Sequence, residues 1–239
     1  MQWEFIDTGV RSAEENMATD AELLKSLSEF PRPILHTYKW HRPSITYGYF
    51  IKPFDLLNQD SLSDYAIDLA RRPTGGGITL HLGDLAYSVL IPAGHPNYSL
   101  CTLTNYAYIH SMLSKAIQRC FSKIIPELVP QPLIAKHPSH ALFCMAHPIQ
   151  YDLLIKGKKV AGGAQRRTKY GFLHQGTVCL TLVNPTLLQK ILKNSETLPS
   201  TMASMSFPLL EECGEPKEDL MQCLYAIFKE ESYVKTCAS

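Results

Sequence analysis

The feature that most limits what this chain can become lies over residues 104–121. There Ile109, Met112, Leu113, Ala116, Ile117 and Cys120 fall at i, i+3, i+4, i+7, i+8 and i+11. A single apolar stripe at that spacing is one face of a long helix. On both sides the chain changes to short β-rich pieces, at 34–38, 44–49, 67–70, 78–81, 86–91, 151–155, 158–164 and 171–182, with Trp3 and Phe5 opening a further strand. Pro31, Pro33 and Pro43 punctuate them, since proline removes a ladder donor and resists helix. Helix and strand runs that mix without strict βαβ alternation predict an α+β fold, a mixed and largely antiparallel sheet flanked by helices.

Local signals complete the outline. Residues 15–27 carry Met17, Ala21, Leu24 and Leu27 at helical spacing, with acidic residues near the start, where the helix dipole favours them. Gly83-Asp84 and Lys156-Gly157 read as turns between strands. Pro126 ends the long helix and opens a proline-studded loop to His140. Asn184 is placed to cap a short helix with Pro185 at its first position. Residues 196–214 read as a loop over the core, and a last helix spans 218–230. The 239 residues are expected to form one domain, 1–239, with 184–239 a helical tail packed on it.

Composition removes several classes of function. Forty-five per cent of the residues are hydrophobic, and 23 Lys+Arg oppose 22 Asp+Glu for a net charge of +1. A near-neutral chain has no overall field for nucleic acid or an acidic membrane, so neither partner is expected and any useful charge is local. No run is long and apolar enough to span a membrane, and residues 1–10 have neither a basic nor an apolar targeting region, which predicts a soluble, cytoplasmic protein. The seven cysteines, at 101, 120, 144, 179, 213, 223 and 237, form no C-x-x-C pair. They read as free thiols, mostly buried, with no disulfide framework, and the histidine spacing offers no metal site.

Three segments exceed a generic globular chain. Arg71-Arg72-Pro73-Thr74-Gly75-Gly76-Gly77, followed by His81, places glycines and cations between two strands. That suits an anionic or carbonyl-bearing ligand, although it is neither a P-loop nor a dinucleotide fingerprint. A tight turn with solvated arginines is the plain alternative. Lys158-Lys159 stands before the small residues Ala161, Gly162, Gly163 and Ala164, and strand alternation puts the two lysines on opposite faces. Lys159 could then stabilise an oxyanion or move a proton, and the plain alternative is a basic hairpin tip. Cys144, ahead of His147-Pro148, is either a nucleophile activated by a cation or a buried inert thiol.

Together these segments resemble the biotin/lipoate protein ligase and octanoyltransferase superfamily, over roughly residues 16–183. Residues 15–20, Lys39-Trp40 with 43–50, the Arg-Arg-x-Thr-Gly-Gly segment with His81, and Gly157-Lys158-Lys159-Val160 with 162–165 resemble that superfamily's motifs in order. Cys144-Met145-Ala146-His147-Pro148-Ile149-Gln150-Tyr151-Asp152-Leu153 is similar to the C-x-x-x-P-x-x-Y-[ED]-L pattern of cysteine-dependent octanoyltransferases. Gln175, in His174-Gln175-Gly176, stands where a histidine usually precedes the glycine.

The resemblance implies a class II synthetase-like catalytic domain without a full accessory domain. It implies transfer of an octanoyl or lipoyl group to the target lysine of lipoyl domains through an acyl-Cys144 thioester. Cys144 and Lys159 would be catalytic, and Arg72, Thr74, Gly75, Gly76, Gly77, His81, Gly162, Gly163, Ala164, His174 and Gly176 would bind substrate. The donor would be octanoyl-acyl-carrier protein or free lipoate. Acceptors would be lipoyl domains of 2-oxoacid dehydrogenase complexes or the glycine-cleavage H protein. That route needs no cofactor or metal. An ATP- and Mg-dependent ligase working through lipoyl-adenylate is the alternative, and a non-catalytic acyl-binding protein the third reading.

Overall fold

A computed structural model describes residues 2–131, 138–193 and 196–234. Ten strands and seven helices follow one another among them. The main sheet runs in the order β1 (Glu4–Arg11), β2 (Ile34–Trp40), β6 (Asp84–Pro92), β10 (Gly171–Cys179), β9 (Lys158–Thr168), β8 (Leu153–Ile155), β7 (Glu127–Leu128). Only its β1–β2 pair is parallel. A smaller sheet places β3 (Ser44–Tyr47) between a parallel β4 (Asp68–Arg71) and an antiparallel β5 (Ile78–His81). This is the mixed, largely antiparallel α+β architecture expected.

Strand periodicity sorts the core. Leu35, Val89, Ile91 and Phe172 face α3 (Thr102–Cys120) and α7 (Leu220–Val234), while Ile34, Leu90 and Leu173 pack with Leu24 of α1 (Ala13–Lys25) and with Leu27 in the 3-10 turn that follows it. The smaller sheet is backed by α2 (Gln59–Asp64), α4 (Pro185–Ile191) and α5 (Leu198–Met205). The stripe of α3 is buried as expected, and it continues towards the N-terminus as Asn105, Tyr106 and His110, which are polar and just as buried.

Several boundaries and connections differ from the sequence reading. α1 starts at Ala13 because Ser12 and Glu15 form a capping box, each side chain accepting from the other's backbone N–H. Residues 196–214 are not a loop: they hold α5 and α6 (Leu209–Cys213), too short to show a periodic stripe. α2 was not anticipated for the same reason. The expected loop over 126–140 includes β7, and its residues 132–137 lie outside the described residues. Asn184 caps α4 as expected, accepting from the N–H groups of Thr186 and Leu187.

The cysteines also need correction. Cys120 and Cys223 form a disulfide between α3 and α7. Packing the two helix stripes together brings their Cα atoms to 6.5 Å, a meeting that a separation of 103 residues hides in the sequence. Cys101, Cys144, Cys179 and Cys213 are free thiols, Cys101 being exposed, and Cys237 lies outside the described residues. No helix among the described residues is long and apolar enough to cross a membrane.

Candidate functional site

Cys144 follows a 3-10 turn, Pro138–Leu142, and its amide donates to Ile78 O at 2.9 Å, which ties it to the start of β5. Gly77 lets the two segments meet. A Cβ there would stand 2.0 Å from the Leu142 carbonyl oxygen, so a side chain is excluded by backbone.

Lys159 arrives from the main sheet. Lys156 and Gly157 take positive φ at the hairpin turn, and β9 then carries one extra residue against β8, pairing Lys159 with Leu154 and Ala161 with Leu153. Such a bulge re-aims a side chain. Lys159 is 1% exposed, whereas Lys158 is only half-buried. Its Nζ donates to Asp152 Oδ2 at 2.6 Å and to Cys144 O at 2.6 Å, and lies 3.9 Å from Cys144 Sγ. Asp152 Oδ1 accepts from the Tyr106 hydroxyl at 2.7 Å, and Oδ2 accepts from Ile149 N at 2.8 Å. The Tyr106 oxygen in turn accepts from Gly163 N at 2.6 Å. Burial alone would lower the Lys159 pKa, but Asp152 and then Cys144 outweigh it and the pKa is raised, so the ammonium persists at neutral pH.

A small cavity of about 20 Å³ opens beside Cys144. Of the residues singled out from the sequence, Arg72, His81, Cys144, Gly163, Ala164 and Gly176 line it. Met17, Tyr38, Thr46 and Thr79 line it too. Its hydroxyls are already committed: Thr46 Oγ1 is 2.8 Å from His81 Nε2 and accepts from Arg72 at 2.9 Å, and Thr79 Oγ1 accepts from Arg72 at 2.9 Å. What remains to meet a ligand is largely methyl, thioether and ring surface, which suits an apolar chain.

Some of the expected site residues lie elsewhere. Arg72 and Lys159 come to this site, but their neighbours do not: exposed Arg71 lies 4.8 Å over the Tyr49 ring and Lys158 stays outside. The carbonyls of the glycine turn are held by Arg72, which donates to Gly75 O at 3.1 Å and Gly77 O at 2.8 Å. Thr74, Gly75, Gly76, Gly77 and Gly162 are not among the residues that line the cavity. His174 points to the opposite face of the sheet, where Tyr106, His110 and Tyr87 surround it at ring distances of 5.1, 5.2 and 6.0 Å. Alternation along β10 forces this, because Gln175 and Thr177 face the cavity.

Gln175 has a clear part in the architecture. Its Nε2 donates to Asp20 Oδ2 at 2.7 Å, and its Oε1 accepts from the Thr74 hydroxyl at 2.6 Å. Asp20 also accepts from Ser88 at 2.6 Å and from His36 Nδ1 at 2.7 Å. The sequence reading missed this buried cluster, as it missed Tyr106 and His110. Their signal was present only as polar residues in register with apolar stripes.

Residues 12–215 match the family described as lipoyl protein ligase A/B catalytic domain. Octanoyltransferase LipM of Halalkalibacterium halodurans is 33% identical over 188 residues, 75% of this chain and 66% of that protein. Octanoyltransferase LipM of Bacillus subtilis is 32% identical over 209 residues, 84% of this chain and 73% of that protein. The chain thus spans about two thirds to three quarters of the length of these relatives. Among solved structures, lipoate-protein ligase A bound with ATP superposes with a TM-score of 0.73 at 20% identity, covering 98% of this chain and 86% of the other. A bi-partite lipoate protein ligase from Thermoplasma acidophilum gives 0.72 at 19%, covering 98% and 84%. These two share the fold. With the family match running from α1 through α6, the chain belongs to the lipoyl protein ligase A/B catalytic-domain family.

Proposed function

We propose that this protein transfers an octanoyl or lipoyl group to the target lysine of lipoyl domains through an acyl thioester on Cys144. The observation that carries the reading is the Lys159 ammonium, held 3.9 Å from the Sγ of Cys144, which lines the cavity. The similarity to octanoyltransferases supports the same chemistry.

The route is two exchanges. The Cys144 thiolate attacks the carbonyl of an acyl-carrier thioester, the carrier thiolate leaves and takes up a proton, and the acyl group stays on Sγ. The lipoyl-domain lysine, as a free amine, then attacks the same carbonyl. An amide forms, the Cys144 thiolate leaves, and the amine proton is lost to solvent. Lys159, kept cationic by Asp152, stabilises the thiolate and the oxyanion of each tetrahedral intermediate. Cys144, Lys159 and the cavity-lining Arg72, His81, Gly163, Ala164 and Gly176 are the residues assigned to the reaction. Residues 184–239 act as a tail of the same catalytic domain, with Phe207 N bonded to Lys159 O at 2.8 Å.

The ATP- and Mg-dependent alternative asks for a carboxylate free to hold the cation. Asp152, beside Lys159, already accepts from Lys159, Tyr106 and Ile149. Among the described residues no group of three or more His, Cys, Asp and Glu is arranged around a metal position.

Intact-mass analysis after incubation with octanoyl-carrier protein tests the proposal. A hydroxylamine-labile octanoyl adduct, lost in Cys144→Ala and discharged by a lipoyl domain, is the expected result. Lipoyl-domain modification that requires lipoate and ATP and survives Cys144→Ala overturns it. No adduct and no modification under either condition leaves the acyl-binding reading.

A further inference from the structure

We propose that His110 is a positioning residue for the reaction at Cys144: it holds the left-handed backbone of Tyr151 and so aims Asp152 at Lys159. This rests on the acyl-thioester reading above. Residues 149–152 make a four-residue turn, closed by Asp152 N donating to Ile149 O at 3.1 Å. Its third residue, Tyr151, has a φ of +67°. Turns of that shape take glycine there, and a bulky side chain in the left-handed region persists only where its surroundings impose it. Asp152 is the next residue, so any relaxation of Tyr151 turns the peptide from which the carboxylate projects.

Helix α3 imposes it. His110 Nδ1 lies 2.7 Å from Tyr151 O, and the histidine is fully buried. A carbonyl only accepts, so Nδ1 carries the proton. Burial pulls the imidazole pKa down and keeps the ring neutral, which leaves Nε2 as a bare lone pair, and Nε2 has no hydrogen-bond partner among the described residues. One helical turn earlier, Tyr106 donates to Asp152 Oδ1 at 2.7 Å. At i and i+4 the two side chains share one face of α3, with their rings 4.4 Å apart. The helix therefore grips the same place twice, Tyr106 by the carboxylate and His110 by the peptide before it.

The role is indirect. His110 does not line the Cys144 cavity and stands beside His174 on the α3 face of the sheet. Its effect reaches Cys144 through the Asp152–Lys159 pair at 2.6 Å and the 3.9 Å approach of Lys159 Nζ to Cys144 Sγ. Loss of the hydrogen bond to Tyr151 should slow the chemical step and leave donor binding as it was. Glycine at 151 takes the left-handed backbone without strain, so it should make the site independent of His110.

The test is Cys144 acylation by octanoyl-carrier protein, followed by intact mass over a range of donor concentrations. His110→Leu and His110→Asn have nearly the same shape, but only asparagine keeps an N–H in reach of Tyr151 O. His110→Leu is expected to lower the saturating rate by about a hundredfold, the scale for a small misplacement, with the half-saturating donor concentration unchanged. His110→Asn should keep most of the parent rate. In a Tyr151→Gly background, His110→Leu should change the rate by no more than about twofold. Equal rates in the Leu and Asn variants, or the same loss with glycine at 151, show that His110 only fills the core and overturn the role. NMR of the parent gives a check that needs no folded variant. The His110 ring nitrogens should show the Nδ1–H tautomer at neutral pH, and the Nε2–H tautomer overturns the proposal. If the parent forms no Cys144 adduct, the acyl-thioester reading falls and takes this role with it. If the adduct forms and the substitutions act as core packing alone, only the role of His110 falls.

Discussion

Lys159 and Asp152 meet at 2.6 Å where their side chains are 1% and 0% exposed. A buried pair of this kind contributes little net stability, yet leaving one member alone is costly. Asp152→Asn should lower unfolding free energy by about 3–5 kcal/mol and shift the pH profile of Cys144 acylation, because burial then acts on Lys159 against Cys144 alone and pulls its pKa down. Urea unfolding and rates from pH 6 to 10 check this. An unshifted profile removes Asp152 from its positioning role.

Gly162 keeps the ammonium in place. A Cβ there would stand 2.5 Å from Lys159 Cε and 2.6 Å from Nζ, both at the mobile end of a side chain. Gly162→Ala is expected to move the lysine rather than unfold the protein. Cys144 acylation should fall by about a hundredfold, the scale for loss of one oxyanion donor, with a melting temperature close to the parent's. Equal rates in parent and variant would show that the lysine has no electrostatic part.

Acid should destabilise the fold through two histidines on the α3 face. Burial pulls His110 down to about 4, and His174 well below its ordinary value, with His110 beside it. Each is neutral when folded, whereas in the unfolded chain it takes up a proton below about pH 6.5. The unfolded state therefore binds more protons, and stability drops as pH falls from about 6.5 towards 4, by about 1.4 kcal/mol per pH unit per histidine at the limit. Urea titrations of the parent and His110→Phe should diverge in slope across that window. Parallel curves contradict the assignment.

Cys120 and Cys223 close a loop whose ends are 103 residues apart. By loop entropy, reduction or Cys223→Ser should lower the unfolding free energy by about 2–5 kcal/mol. The variant should also become indifferent to reductant, which a thermal melt with and without dithiothreitol reads directly.

Much of the fold was legible because its long elements repeat: the α3 stripe, the alternating strands and the Lys156-Gly157 turn all carry periodic or turn chemistry. Short helices such as α5 and α6 do not reach one full repeat and were invisible. In the site, Lys159 and Arg72 stood out as cations beside runs of small residues and glycines, and Cys144 as a thiol ahead of His147-Pro148. Asp20, Tyr106 and His110 did not, since a polar residue on a helix gives no sign of facing inward until its partner strand is known. His174 was misplaced for a related reason. A motif gives position along β10, but only the pleat decides that Gln175 faces the Cys144 cavity and His174 does not.

The Asp20 carboxylate gathers His36 from β2, Ser88 from β6 and Gln175 from β10, and through Gln175 reaches Thr74 beside the glycine turn. Segments that read as separate motifs along the chain therefore share one acceptor, and substitutions among them will not add independently. Position 175 cannot drift from glutamine to an apolar residue unless 20 or 74 changes with it. Replacements within the cluster are expected to be tolerated together rather than one at a time.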